Sequence, residues 1–382
     1  MAKGLASVVA GSSVLFFASA LPHPTPIGTA KALPVYHPAE YLAEVKVGGH
    51  KYALMIDTGS SDTWFVKDGF QCLLYPHCNL GPVFRGDFPG GLIEVEHLNI
   101  SYGGDIGAFL NGQMGYSDLT VAGVTIPKQQ IALATIGSYT GDGISSGILG
   151  LGLPALTGSF RGQIPTEDGL QNLAPYSPLI TTLTNQIGKH TFSLGLSRNE
   201  SESFLAFGGV PQHVKVGNYT RVPIEKMAKP FGGEDYFYYA LTPDAMVWGN
   251  SSGGGVNRRA GLPQVIVDSG TTLNVFPHDI ARSINGHYAP PAVYSKSLNG
   301  WFVACNAVPP SLGVQIGGQM FWTDPLSMVL PQVTDPETGY CATGIGATDG
   351  SVFILGDVFM QGLVAVFDVG QRMEMRFAKR LG

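Results

Sequence analysis

Helical periodicity is scarce along this chain. Its best helical segment is the short run SPLITTLTNQIG, Ser177 to Gly188, and elsewhere apolar residues come in short runs broken by glycine and polar turns. That pattern predicts a mainly β protein. Two of the apolar runs share an unusual ending. YALMIDTGSSDTWFV, Tyr52 to Val66, carries a carboxylate, Asp57, into a glycine turn, and QVIVDSGTTLNVFP, Gln264 to Pro277, does the same with Asp268. A buried unpaired carboxylate costs several kcal/mol, so each acid needs an explanation in the fold.

The two runs belong to a longer echo. Roughly ninety residues after Asp57 comes SGILGLG, in which Ile148, Leu149 and Gly150 follow Gly147; about the same distance after Asp268 comes VFILGDV, with Ile354, Leu355 and Gly356. Recurrence in the same order and at similar spacing predicts an internal duplication. Two lobes related by a pseudo-twofold axis would set equivalent turns face to face and place both acids in the cleft between them. Carboxylates in contact cannot both ionise easily, so the pair would hold one shared proton. One then serves as base and its protonated partner as acid, and a water between them is activated without a metal. The neighbouring residue types suit this use. Gly59 and Gly270 let the backbone turn tightly and bring amides close to the carboxylates. Thr58 and Ser269 are placed to tie the turns together by hydroxyl-to-backbone bonds, and Ser60 and Thr271 to bond the outer carboxylate oxygens.

Composition agrees with the β reading and removes several functions. At 382 residues the chain exceeds the usual single-core size. Its 52 Gly and 26 Pro, with only 13% charged residues, favour short strands and turns. The net charge of −6, from 22 Lys and Arg against 28 Asp and Glu, offers no broad basic field, and no nucleic-acid partner is expected. NSSGGGVNRRAG, Asn250 to Gly261, lacks the Lys-Ser/Thr of a phosphate-binding loop and reads as a mobile surface loop.

The start of the chain, MAKGLASVVAGSSVLFFASALPHP, has a positive residue at Lys3, an apolar segment and a small-residue site at Ala18-Ser19-Ala20, the layout of a cleaved signal peptide. That segment is short for a membrane span and interrupted by Gly and Ser. No later segment is apolar enough to cross a bilayer, so no stable membrane association is expected. In the oxidising compartment that secretion implies, Cys72 with Cys78 and Cys305 with Cys341 form the economical disulfide pairing, one in each half. CLLYPHC, with His77 beside Cys78, has no second ligand pair at zinc spacing, and no metal is expected. Asn99, Asn199, Asn218 and Asn250 stand in Asn-x-Ser/Thr triplets and are glycosylation candidates.

After Tyr41 the sequence resembles the pepsin-like aspartic proteases over nearly its whole length. IDTGSSDTW and VDSGTT match the family's two active-site motifs, and GILGLG and ILGDVF the strands behind them. NISYGG looks like the start of the flap, the hairpin that closes over substrate, and FDVGQRMEMRFAK is similar to the family's closing strands. TVAGVTIPKQQIALA is most similar to secreted fungal members. The resemblance implies a bilobal pepsin-like acid protease fold. A signal peptide would occupy 1–20, a short segment 21–40, a lobe with Asp57 and the flap 41–212, and a lobe with Asp268 213–382, with the boundary near 209–218. It also implies an endopeptidase that hydrolyses extended polypeptides at acidic pH through an Asp57–Asp268 dyad, as a secreted monomer without a cofactor. Tyr102 would be the flap tyrosine over the scissile bond, Trp64 its hydrogen-bonding neighbour, and Gly103 the point where flap backbone approaches substrate. Met55 and Ile148 would line the pocket just before the scissile bond.

Three features depart from the family pattern. About twenty residues separate the proposed cleavage site from Tyr41, where the first strands are expected, and Lys31 is the only Lys or Arg among them, so control by a long basic pro-segment is not expected. Ser146 stands where the family usually has Asp, which predicts altered bonding in that loop. The flap, YGGDIGAFLNG, is a few residues longer than usual. The alternative these features motivate is a pepsin-fold protein repurposed for binding or a non-proteolytic step. A lectin-like surface protein would explain the composition but not the duplicated acids.

Overall fold

A computed structural model describes residues 25–35, 39–74, 77–103, 108–162, 164–228, 233–249 and 256–381. The expected signal peptide at 1–20, the flap tip at 104–107 and Asn250 lie outside these residues. The described part of the first half opens with ten strands in chain order: β1 (Gly28–Lys31), β2 (Leu33–Val35), β3 (Glu40–Val47), β4 (His50–Asp57), β5 (Trp64–Cys72), β6 (Leu92–Tyr102), β7 (Ala108–Val121), β8 (Val124–Ser138), β9 (Gly147–Gly150) and β10 (Ser159–Arg161). All but β1 form one sheet, in the order β10-β6-β7-β8-β5-β9-β4-β3-β2. The helical run is α1, Leu179–Ile187, which buries Leu179, Ile180 and Leu183 and ends at Gly188 with φ +66°, a conformation that favours glycine.

The internal duplication is visible in strand register. β4 runs parallel to β9, with Met55 opposite Ile148 and Asp57 opposite Gly150. In the second half Val265–Val267 runs parallel to Phe353–Leu355, with Val267 opposite Leu355. Each pair is crossed by a third strand in the same sense: β5 is antiparallel to β9 and parallel to β8, and Asn274–Phe276 is antiparallel to Phe353–Leu355 and parallel to Ile345–Ala347. Glycine is required where the motifs cross. A Cβ on Gly150 would lie 2.5 Å from the Ser61 carbonyl carbon, and one on Gly356 would lie 2.3 Å from the Thr271 carbonyl oxygen.

The lobes are joined by a six-stranded antiparallel sheet drawn from both halves, in the order β1, Phe204–Phe207, Thr191–Gly195, Leu363–Asp368, Glu374–Lys379, Thr220–Pro223. Above it the main core is continuous across both halves. Phe192 stacks on Phe367 at 4.6 Å, and Tyr239, 4.7 Å from Phe367, donates its hydroxyl to the Leu151 carbonyl. The division at 212/213 is therefore one of chain order, since strands from either side of it are hydrogen-bonded together.

Two expectations need correction. Strands begin at Gly28 and not at Tyr41, because β1 and β2 find open edges to pair with on Phe204–Phe207 and β3. The supposed mobile loop at 250–261 contains a strand, Val256–Arg259, paired with Ala245–Gly249. Arg258 bonds Gln315 and Arg259 pairs with Asp279, which gives polar residues at this sheet edge partners that a loop reading overlooked. The structure pairs Cys72 with Cys78 and Cys305 with Cys341.

The glycosylation candidates separate by environment. Asn199 and Asn218 are exposed. Asn99 donates from its amide nitrogen to the Pro165 carbonyl at 3.1 Å and to Asp168 Oδ2 at 2.8 Å, so both N–H bonds are already engaged. When the protein is made in a eukaryotic secretory pathway, glycopeptide mass spectrometry should find sugar at Asn218 or Asn199 and none at Asn99; an Asn99 glycan would refute the assignment.

Candidate active site

Asp57 ends β4 and Asp268 follows Val265–Val267, so equivalent strands deliver the two acids to the lobe interface. They are 5% and 7% exposed. The turns are locked to each other. Thr58 Oγ1 donates to the Val267 carbonyl at 2.9 Å and accepts from the Ser269 amide at 3.0 Å. Ser269 Oγ donates to the Ile56 carbonyl at 2.8 Å and accepts from the Thr58 amide at 3.2 Å. Each of these hydroxyls is one donor and one acceptor placed where two buried backbone groups would otherwise be orphaned.

Each acid is also held within its own turn. Asp57 Oδ1 accepts from the Gly59 amide at 2.7 Å and the Ser60 amide at 3.2 Å, and Ser60 Oγ donates to Oδ2. Asp268 Oδ1 accepts from the Gly270 amide at 2.8 Å, and Thr271 Oγ1 donates to Oδ2 at 2.7 Å. Both glycines are needed for contact across the axis. A Cβ on Gly59 would stand 2.5 Å from Asp268 Oδ1, and one on Gly270 would stand 2.4 Å from Asp57 Oδ1.

Above this pair, Tyr102 closes β6 and Gly103, with φ +71°, starts the turn toward β7. Trp64 Nε1 donates to the Tyr102 hydroxyl at 2.8 Å, so the fully buried indole has the partner it requires. Met55 and Ile148, adjacent in register, pack in the same cluster with Trp64 and Tyr102. Tyr139, which sequence reading did not single out, meets Trp64 edge-on at 5.3 Å. Ser146 is fully buried, and the loop bonding expected of a carboxylate there comes from four residues upstream: Asp142 Oδ1 accepts from the amides of Ile144 at 2.8 Å and Ser145 at 2.6 Å.

The site holds more acids than the two motifs announced. Burial pushes Asp57 well above the ordinary carboxylate range, and the charge of Asp268 adds to the shift. Asp62 is raised to about 6 by burial, against the opposing bonds from the Tyr176 hydroxyl and the Gly158 amide. Glu40 is raised to about 7, by burial and then by Asp142. Asp357 is raised by burial and then by the charges of Asp268, Glu40 and Asp57. Asp62 and Asp357 stand inside the quoted motifs DTGSSDTW and ILGDVF; Asp62 as a second acid in the first and Asp357 as the one acid of the second were the available signal.

These shifts fix the sign of a pH dependence. A carboxyl whose folded-state pKa is raised contributes stability that is complete below its unfolded value and is lost as pH rises through the raised one. For Asp62, 3.8 to about 6, and Glu40, 4.5 to about 7, the loss falls between about pH 4 and 7. The thermal unfolding midpoint should therefore drop between pH 4 and pH 8. In unfolding free energy over the same pH range, Asp57→Asn, which cannot ionise, should show a smaller drop than the parent, by an amount on the order of 1 kcal/mol for each pKa unit removed. A variant whose drop equals or exceeds the parent's would refute the burial account.

Comparison with known proteins bears on the family and the fold. A probable aspartic-type endopeptidase of Aspergillus fumigatus is 33% identical over 368 residues, covering 92% of this chain and 81% of the relative. Rhizopuspepsin-5 of Rhizopus niveus is 28% identical over 348 residues, 90% of this chain and 79% of the relative. The crystal structure of an aspartic proteinase from Irpex lacteus superposes with a TM-score of 0.68 at 21% identity, over 92% of this chain and 97% of that one, a likeness of fold. Residues 40–380 match the family model of eukaryotic aspartyl proteases, and the chain belongs to that family as an aspartic-type endopeptidase.

Proposed function

We propose that the protein is a secreted, monomeric endopeptidase that cleaves extended polypeptides at acidic pH, with Asp57 and Asp268 as its catalytic pair. The observation that carries this reading is the mutual lock of Thr58 and Ser269, which holds two buried acids in contact where charge repulsion would part them. One proton shared by the pair relieves that repulsion. The ionised member takes a proton from a water as that water attacks the scissile carbonyl, and the protonated member gives its proton to the carbonyl oxygen, leaving a neutral gem-diol. Collapse of the diol returns a proton to the departing nitrogen and breaks the C–N bond. Ser60, Thr271 and the amides of Gly59 and Gly270 fix each carboxylate's orientation while leaving acceptor capacity for the water.

Support for secretion comes from the Lys3-to-Ala20 segment and from two disulfides, which persist in oxidising compartments. The flap stem, β6 and β7, offers backbone for a substrate strand, with Tyr102 and Gly103 at its end.

The decisive assay is cleavage of an unfolded protein between pH 3 and 7 by the parent, Asp57→Asn and Asp268→Asn, each with and without a statine-type transition-state mimic. The parent should be active in acid and blocked by the mimic, and each variant should lose roughly a hundredfold or more. A folded parent inactive throughout would overturn the reading. On a peptide library, Met55→Ala should relax the preference for large apolar groups before the scissile bond; an unchanged cleavage pattern would remove Met55 from that pocket.

A further inference from the structure

β6 carries the flap tyrosine on one face and a polar lock on the other. Leu98, Ile100 and Tyr102 join the cluster around Trp64, while His97 and Asn99 meet residues 162–168. At the centre of the lock is Asp168, whose side chain is 5% exposed. Its Oδ2 accepts from Asn99 Nδ2 at 2.8 Å and lies 2.8 Å from His97 Nε2, and its Oδ1 accepts from Asn172 Nδ2 at 2.8 Å. His97 Nδ1 lies 2.9 Å from the Gly162 carbonyl oxygen. Across the hairpin, Asn111 on β7 donates to Asn99 Oδ1 at 2.8 Å. β10 pairs with β6 alongside, with Phe160 opposite His97. Residues 159–162 and 164–172 are thus fastened to the outer face of the flap stem.

Both ring nitrogens of His97 face acceptors. A carbonyl oxygen has no proton to give. Burial pushes the Asp168 carboxyl up, but the hydrogen bonds from Asn99, Asn172 and His97 outweigh it and hold the group below the ordinary range. A neutral imidazole has one N–H and an imidazolium has two, so only the charged ring serves both partners. Other charges nearby are otherwise placed. Glu96 Oε2 is taken by Gln130 and Ser159, Glu94, Arg161 and Glu167 are exposed, and Lys67 bonds Gln113, the residue opposite His97 on β7.

For the peptidase reading on which it rests, the geometry points to His97 as a positioning residue: its charged ring clamps β6 to residues 159–162 and 164–172 in acid, and loss of that charge releases one of its two hydrogen bonds and loosens β6. The clamp would hold Tyr102 against Trp64 under the conditions in which the dyad is proposed to act. Histidine changes charge in the pH range where such loosening would be felt.

The test compares the full-length parent with His97→Gln, which has one donor nitrogen and one acceptor oxygen at every pH, Asp168→Asn and the milder Asn172→Ser. Two readings are taken from pH 3.5 to 7.5: kcat and KM on a peptide substrate, and hydrogen exchange of β6 and residues 159–172, each amide relative to its intrinsic rate at that pH. In the parent, KM should rise and β6 protection fall toward neutral pH. His97→Gln should show a KM raised roughly threefold to tenfold already in acid, as expected for one lost hydrogen bond, with a flattened pH response and kcat still following the parent's curve. If His97→Gln does not fold, the parent's own exchange profile and Asn172→Ser carry the test. Parent-like KM and protection at every pH in the variants, or pH-independent protection in the parent, would overturn the clamp. An inactive parent whose β6 protection nonetheless falls with pH would sink the peptidase reading and leave the clamp standing.

Discussion

Four hydrogen bonds made by Thr58 and Ser269, two to each other and two to the Val267 and Ile56 carbonyls, decide what the rest of the molecule can be. Without them, two acid turns carrying like charges would relax apart into solvent. With them, each glycine turn is pressed against the opposite carboxylate, so closely that neither glycine could carry a side chain. The lock consumes hydroxyls and backbone groups only, and the carboxylates themselves remain available. The rigid crossing of β4, β5 and β9, repeated in the second half, is the platform that keeps these turns in register. Orientation is thus set by backbone, and chemistry is left to side chains.

The buried acids around the pair follow a common logic. Asp62, Glu40 and Asp357 are all pushed toward the protonated form, chiefly by burial. A protein meant for neutral solution would meet such groups as a standing cost; in acid they become neutral hydrogen-bonding residues. Asp168 goes the opposite way, because three donors converge on it. The same residue type therefore serves as a silent acid in one place and an anion in another, according to whether burial or the hydrogen bonds that reach it weigh more.

The sequence displayed the lobes' shared plan clearly because both copies of the acid motif and of the Ile-Leu-Gly strand survive as contiguous text. Asp57, Asp268 and their hydroxyl partners could be named from it, as could α1 from a run of helical period. What stayed hidden depends on distant pairing. His97 and Asp168 are separated by 71 positions, and nothing local to either signals the other. Asp142 supplies the bonding that Ser146 cannot, a substitution of role legible only once the loop is folded. β1 and Val256–Arg259 were missed for the same reason: each is short, and each becomes a strand because a partner edge is waiting.

The sheet that joins the lobes has a consequence for how the chain is made. Thr191–Gly195 takes Leu363–Asp368 as a neighbour, a partner translated about 170 residues later, which at typical synthesis rates means on the order of ten seconds or more. Throughout that interval the first lobe must expose one naked strand edge to the lumen or cytosol, a template for any other extended segment. The edge that Leu363–Asp368 comes to occupy is therefore a place where the nascent first lobe is open to wrong pairing.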